Sequence, residues 1–111
     1  MERKNYSYDD YSDSLIISMR QENEKVRENF EVGDIIFSLT GKGKIVSIEI
    51  RGASSFLESC NINPVILANI QSISFEIAVK RDSLFIVLKI AGFENEKLLS
   101  AALPLIVPMS N

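Results

Sequence analysis

The chain has 111 residues, of which 46% are hydrophobic and 24% charged, and its 15 acidic and 12 basic residues give a net charge of −3. One cysteine and no histidine exclude a zinc site built from cysteine and histidine, a histidine-dependent catalytic triad and an intramolecular disulfide. The length fits a single domain over residues 1–111, and the acidic balance supplies no basic face, so we expect no nucleic-acid binding.

The sequence also predicts where the protein is located. No apolar stretch approaches the roughly 20 residues that a membrane span needs, and residues 1–7 lack the apolar region of a signal peptide. The single Cys60 suits a reducing compartment. These features predict a cytoplasmic protein with no membrane segment.

Alternation of apolar and polar residues predicts strands with one buried face. In chain order, the alternating positions are Tyr6 and Tyr8, then Leu15, Ile17 and Met19, then Ile35, Phe37 and Leu39, then Val46, Ile48 and Ile50, and then Ile73, Phe75, Ile77 and Val79. A sixth strand, over residues 83–91, is apolar on both faces at its start, which favours a central position or one that is covered on both sides.

The links between these strands are short and polar. Residues 40–43, with two glycines, and residues 80–82 predict hairpin turns. Residues 9–13 predict an aspartate-rich turn, and residues 21–29 predict a solvated loop or a ragged helical turn. Links of this length require an antiparallel sheet, because parallel strands need longer crossovers.

Helical signals are fewer. Apolar spacing predicts helices over residues 53–60, 65–70 and 94–103, the last stopped by Pro104, and a short edge strand over residues 105–107. We therefore expect an α+β fold. It would be a mainly antiparallel β-sheet of five to seven hairpin-connected strands with two or three short helices.

Several motifs of the first half occur together. They read Tyr8-Asp9, Asp13-x-Leu15-x-Ile17, Gly43-Lys44-x-Val46-x-Ile48-Glu49-Ile50 and Ala53-Ser54, with Gly33, Ile35 and Phe37 between them. Residues 6–57 thereby resemble the family catalogued as domain of unknown function 2283. The resemblance implies a small domain of antiparallel strands, and it brings no catalytic residues, since none is assigned to the family. Some members look like partners of small toxin-like proteins, which implies an antitoxin-like role as one alternative.

The resemblance has two limits. Thr40-Gly41-Lys42 stands where family members have an acidic turn. The family pattern also stops near residue 57. We expect residues 58–111 to complete the same domain with a helix, a hairpin and a C-terminal helix or short strand.

An acidic cluster is the main candidate for a metal site. Asp9, Asp10 and Asp13 lie within five residues, and hard cations such as Ca²⁺ favour oxygen-rich clusters. The cluster lacks the glycine and distal glutamate of an EF-hand loop, however, and aspartates also stabilise turns by bonding to nearby backbone. We favour the turn.

Other reactive-looking residues also have structural interpretations. Lys44 of the run Gly41-Lys42-Gly43-Lys44 enters a predicted strand, whereas a phosphate loop opens a helix, so the glycines are expected to serve a turn. Without histidine to activate it, Cys60 is expected to be a small buried residue. Ser54-Ser55 is expected to cap a helix. No catalytic residue and no cofactor are predicted.

Apolar residues on the second strand face give the strongest functional indication. Ile16, Ile36, Ile45, Phe85 and Val87 lie opposite the main alternation. A single sheet with few helices covers one face well and hardly both, so these residues are interface candidates in a homo-oligomer, most simply a dimer. Alternatively, the C-terminal segment covers them within one chain.

The leading functional hypothesis is therefore a non-enzymatic, self-associating protein-interaction module. The alternatives are a carboxylate-based metal- or small-molecule-binding enzyme, with Asp9, Asp10, Asp13 and Glu49 as candidates, or an antitoxin-like partner of a small toxin.

Overall fold

A computed structural model describes residues 4–108, and the chain divides into two compact units, residues 1–64 and residues 65–111. The first unit contains strands β1 (Tyr6–Asp9), β2 (Ser14–Ser18), β3 (Val26–Val32), β4 (Ile35–Thr40) and β5 (Ile45–Arg51) and helix α1 (Ala53–Ser59). A 3-10 helix (Pro64–Ala68) spans the boundary in the sequence, and the second unit contains β6 (Ile70–Lys80), β7 (Ser83–Glu94) and β8 (Lys97–Pro108).

The first unit is a five-stranded sheet in the order β1-β2-β5-β4-β3, with every neighbouring pair antiparallel. The predicted alternation is confirmed, because one face of this sheet carries the buried apolar residues. They are Leu15, Ile17, Phe37, Val46, Ile48 and Ile50 from the strands, together with Ala53 and Leu57 from α1.

Both edges of this sheet are unsuited to adding another strand. β1 has only four residues. β3 reads Val-Arg-Glu-Asn-Phe-Glu-Val and is almost wholly exposed. Short and charged edge strands resist pairing with a second chain.

An aromatic contact joins β3 to β4. Phe30 of β3 stacks on Phe37 of β4 with ring centroids 4.8 Å apart.

The second unit is a three-stranded antiparallel sheet with β7 at its centre. This confirms the central position predicted for residues 83–91. One face carries the buried apolar side chains Ile73, Phe75, Leu84, Ile86, Leu88, Ile90, Leu103 and Val107. Ile66 and Leu67 of the 3-10 helix are also buried.

The structure corrects the predicted numbers of elements. Residues 4–108 contain eight strands in two sheets rather than five to seven, with one α-helix and one 3-10 helix rather than two or three helices. Residues 65–70, predicted as a helix, form part of the 3-10 helix and the start of β6. Part of the segment predicted as a loop or ragged helix, residues 21–29, instead begins β3 at Val26.

The helix predicted over residues 94–103 is wrong. Asn95 adopts a left-handed φ of 57°, and with Glu96 it forms a two-residue turn that places Glu94 opposite Lys97. Asparagine adopts this conformation readily in hairpins. The spacing of Leu98, Leu99, Ala102 and Leu103 suits a helix, but pairing with β7 along the whole of β8 overrides it. The edge strand predicted over residues 105–107 is the end of β8.

Within residues 4–108, none of the helices has the length and apolar content to cross a membrane.

Candidate functional site

Asp13 joins the turn after β1 to the first turn of α1. Its carboxylate accepts hydrogen bonds from the Tyr8 hydroxyl at 2.6 Å, the Ser54 hydroxyl at 2.6 Å and the Ser54 backbone N–H at 3.0 Å. The N-cap position of α1 is Gly52, which has a φ of 68° and no side chain to cap the helix. Asp13 therefore supplies, from 41 residues before Ser54, the acceptor that N-terminal helix N–H groups require. We call Tyr8, Asp13 and Ser54 the Asp13 cluster.

These hydrogen bonds fix the protonation states of the cluster. The Ser54 hydroxyl, followed by the Tyr8 hydroxyl, lowers the pKa of Asp13 from its usual 3.8, because both donate to the ionised carboxylate. The bond to Asp13 raises the pKa of Tyr8 from 10.0 to about 12, because ionised tyrosine could not donate and would repel the carboxylate. At neutral pH the cluster thus holds an ionised Asp13 and a neutral Tyr8.

The titration of Tyr8 tests this cluster directly. The chain has three tyrosines, and we expect one of them to ionise with a pKa near 12 when tyrosinate absorbance is followed against pH. Tyr8→Phe should remove the part of the absorbance change that occurs at this high pH. If the component lost in Tyr8→Phe ionises near the ordinary pKa of 10.0, the hydrogen bond to Asp13 is absent in solution.

The three aspartates that are candidates for a metal site make different interactions in the structure. Asp13 is engaged with Tyr8 and Ser54, and Oδ1 of Asp9 accepts the Tyr11 N–H at 3.0 Å, as in an aspartate-stabilised turn. Asp10 is exposed. In the part of the chain that the structure describes, no three acidic or cysteine side chains are grouped so that they could hold a metal ion.

Residues 40–44 form a turn, as predicted. The Gly43 N–H donates to the Thr40 carbonyl at 2.9 Å, and the N–H groups of Lys42 and Lys44 donate to the Thr40 hydroxyl oxygen, each at 3.3 Å. Strand β5 begins directly afterwards, at Ile45. The glycines therefore belong to a turn and not to a helix-opening phosphate loop.

Two other predicted residues lie around α1. Ser54 lies inside the helix and donates to Asp13, so the capping residue is Asp13 and neither Ser54 nor Ser55. Cys60 is the C-cap residue of α1, and it is free and half-buried.

Three of the five interface candidates belong to the first unit, where the second sheet face is mostly polar. Ile16 and Ile36 lie on either side of Glu49 in a row across β2, β5 and β4. The neighbouring row consists of Ser18, Ser47 and Ser38. Ile45 is half-buried and pairs with Leu39. Isolated apolar residues on a polar face are normal for a solvated surface.

The other two candidates belong to the second unit, where the second sheet face is largely apolar. Phe85 lies between Ala78 of β6 and Ile106 of β8, and Val87 lies next to Phe85 along the same face, opposite Pro104 of β8. Phe85 is 37% exposed and Ile106 is 62% exposed. We call this surface the apolar patch; its members are Ala78, Phe85, Val87, Ala102, Pro104 and Ile106.

Sequence reasoning missed most of the apolar patch. Ala102, Pro104 and Ile106 lie in β8, where the pattern was interpreted as a helix followed by a separate short strand. The available signal was the almost continuous apolar run over residues 101–107, since such a run is consistent with a strand as well as with a helix.

Residues 5–54 of the chain match the sequence model of a family described as protein of unknown function (DUF2283). No curated protein and no solved structure was found to match the chain. The matched segment contains Tyr8, Asp13 and Ser54, the three residues of the Asp13 cluster. The resemblance seen in the sequence is thus confirmed for residues 5–54, a segment of the chain.

Proposed function

We propose that this protein is a non-enzymatic interaction module of the cytoplasm that associates with a second copy of itself through the apolar patch. The observation that carries the proposal is the pair Phe85 and Ile106, which are cross-strand neighbours and are 37% and 62% exposed. Exposed apolar residues that adjoin one another, rather than lying singly, are typical of association surfaces. The free Cys60 is consistent with a reducing compartment.

The dimensions of the sheet suit a small dimer interface. Strands of twelve residues such as β7 and β8 are about 40 Å long, and three strands are about 14 Å wide. Two such faces would bury roughly 1,100 Å² in total, which is just above the lower limit for specific interfaces. We therefore expect a reversible dimer rather than an obligate one.

The β8 edge of this sheet disfavours association by strand addition. β8 is an edge strand and includes Pro104 and Pro108. Proline has no N–H to donate to an added strand, so edges that contain it are poor templates for pairing.

The charges on the sheet face that carries the apolar patch are also compatible with the association of two copies. Glu76 and Lys89 lie on the same face as the apolar patch, with 3.3 Å between Oε1 and Nζ. Their charges compensate each other within one chain, so two copies meet without strong repulsion around the apolar patch.

The test replaces Ile106 by lysine and measures molar mass against concentration by sedimentation equilibrium. We expect the native chain to form dimers at tens of micromolar. Ile106→Lys should raise the dissociation constant at least about ten-fold, because a buried apolar contact worth ~1.4 kcal/mol is lost and a charge is desolvated.

Ile16→Lys is the matched control. It places the same charge at an exposed isoleucine, 41% accessible, on the polar face of the first unit. It should leave the dissociation constant unchanged. A native chain that remains monomeric at these concentrations would overturn the proposal, as would equal effects of Ile16→Lys and Ile106→Lys.

A further inference from the structure

The first unit contains a cleft of about 390 Å³ between the segment that leads into β3 and the turn that joins β4 to β5. The residues lining it are Asn23, Glu24, Lys25, Arg27, Thr40, Gly41, Lys42 and Lys44. Four of these side chains are cationic and one is anionic, although the whole chain has a net charge of −3. The cleft thus has an excess of positive charge, although the chain as a whole has a net negative charge.

A β-bulge places Arg27 in the cleft. Val26 pairs with Thr40 and Glu28 pairs with Leu39, so no residue of β4 lies opposite Arg27. A bulge of this kind redirects a side chain out of the regular alternation of the strand. Gly41 lies next to this arginine, since a Cβ at Gly41 would meet Cγ of Arg27 at 3.4 Å, an ordinary contact distance.

The charges in the cleft are only partly compensated. Nζ of Lys44 lies 2.8 Å from Oε2 of Glu24, whose side chain is only 16% exposed. Over residues 4–108, the structure gives no ion pair to Lys25, Arg27 or Lys42. Three cations therefore face the cleft region without a carboxylate partner.

The chemistry of the lining narrows the class of ligand. The N–H groups of Lys42, Gly43 and Lys44 already donate to Thr40, so an anion would be held by side chains. Guanidinium groups bind phosphate through paired hydrogen bonds, and a phosphate monoester carries about −1.5 to −2 charges at neutral pH. The lining has no aromatic residue on which a nucleobase could stack.

We infer that this cleft binds the phosphate group of a small phosphorylated molecule, with Arg27 and Lys42 as its principal contacts. The volume lies toward the small end of ligand pockets, which suits a monoester or a diphosphate. Glu24 acts against binding, because its carboxylate competes with the anion for Lys44. This site is independent of the apolar patch, which belongs to the other unit.

The test is a titration of the isotope-labelled full chain with inorganic phosphate and with pyrophosphate, followed by amide NMR at constant ionic strength. We expect saturable shifts at Gly41, Lys42 and Gly43, and none with matched chloride. Arg27→Gln and Lys42→Gln should each weaken binding at least about three-fold. Glu24→Gln should strengthen it by a similar factor.

Two control variants make the same kinds of charge change at positions outside the cleft. Glu31→Gln removes a carboxylate paired with Arg51, and Lys89→Gln removes a lysine from the second unit. Both should leave phosphate affinity unchanged. Shifts that do not saturate, or equal effects of Lys42→Gln and Lys89→Gln, would show nonspecific attraction and overturn the inference. Binding of a single-stranded oligonucleotide without binding of pyrophosphate would overturn the assignment to a small molecule.

Discussion

Replacing Asp13 by alanine is expected to lower the free energy of unfolding by about 3 kcal/mol, because several charge-assisted bonds and a helix cap are lost together. The substitution leaves the Tyr8 hydroxyl and both Ser54 donors without their acceptor. It also places alanine at a φ of 55°, a left-handed conformation that costs alanine roughly 1 kcal/mol. Urea denaturation followed by tyrosine fluorescence measures the change, since all three tyrosines lie in the first unit.

Asp13→Asn separates the charge from the backbone strain. Asparagine tolerates left-handed φ and has nearly the same shape, but it loses the negative charge and one acceptor oxygen. We expect a loss of about 1–2 kcal/mol. Asp10→Ala is the control, because Asp10 is exposed and should change stability by less than ~0.5 kcal/mol. Equal effects of the substitutions at residues 10 and 13 would contradict the role of Asp13.

At acid pH, Asp13 should no longer stabilise the folded chain more than asparagine does. The pKa of Asp13 in the folded chain is below its ordinary 3.8, so the stabilisation is complete above that pH, where both states are ionised. As the pH falls below 3.8, the unfolded chain takes up the proton first, and the stabilisation decreases until folded Asp13 is protonated too. The stabilities of native protein and Asp13→Asn should therefore converge below about pH 4.

Double-mutant cycles identify the partners of Asp13. Ser54→Ala and Tyr8→Phe should each destabilise the native chain, and each should have a smaller effect when Asp13 is already asparagine. Coupling of about 0.5 kcal/mol or more is expected for groups in direct hydrogen-bond contact. Additive effects would indicate that the three residues act independently.

Strands with a clear buried face were predictable from the sequence. Ile48 and Ile50 in β5, and Ile73 and Phe75 in β6, alternate with polar residues, and the structure buries all four. β3 was missed because its residues are nearly all exposed. An edge strand paired on one side needs no apolar period, so its sequence resembles that of a loop.

The Asp13 cluster shows a different limit of sequence reasoning. The residue types near Asp13 indicated a turn, and the turn is present. Its partner Ser54 lies 41 residues away, and no local pattern encodes such a contact. Tyr8, Asp13 and Ser54 all belong to motifs that carry the family resemblance, but those motifs indicate no contact among the three residues.

Gly92 is the position where the second unit has least room for a side chain. A Cβ there would lie 2.9 Å from the Asn69 carbonyl oxygen, 3.0 Å from Cβ of Ile66 and 3.2 Å from the Ile66 carbonyl oxygen. Two of these atoms belong to the backbone, which cannot rotate away as the end of a flexible side chain can. The Asn69 carbonyl also accepts the Phe93 N–H at 3.1 Å, so moving it would weaken a bond to β7.

Gly92→Ala is therefore expected to destabilise the second unit by about 2–3 kcal/mol, in the upper part of the range for overpacking. Alanine's slightly better fit to a strand offsets no more than ~1 kcal/mol of this cost. Amide hydrogen exchange along β7 measures the effect within the second unit. Gly41→Ala is the control, because its new Cβ would meet only the flexible Arg27 side chain at 3.4 Å. If Gly92→Ala protects β7 amides as well as the native chain does, the close approach of the Ile66–Asn69 backbone to β7 is not maintained in solution.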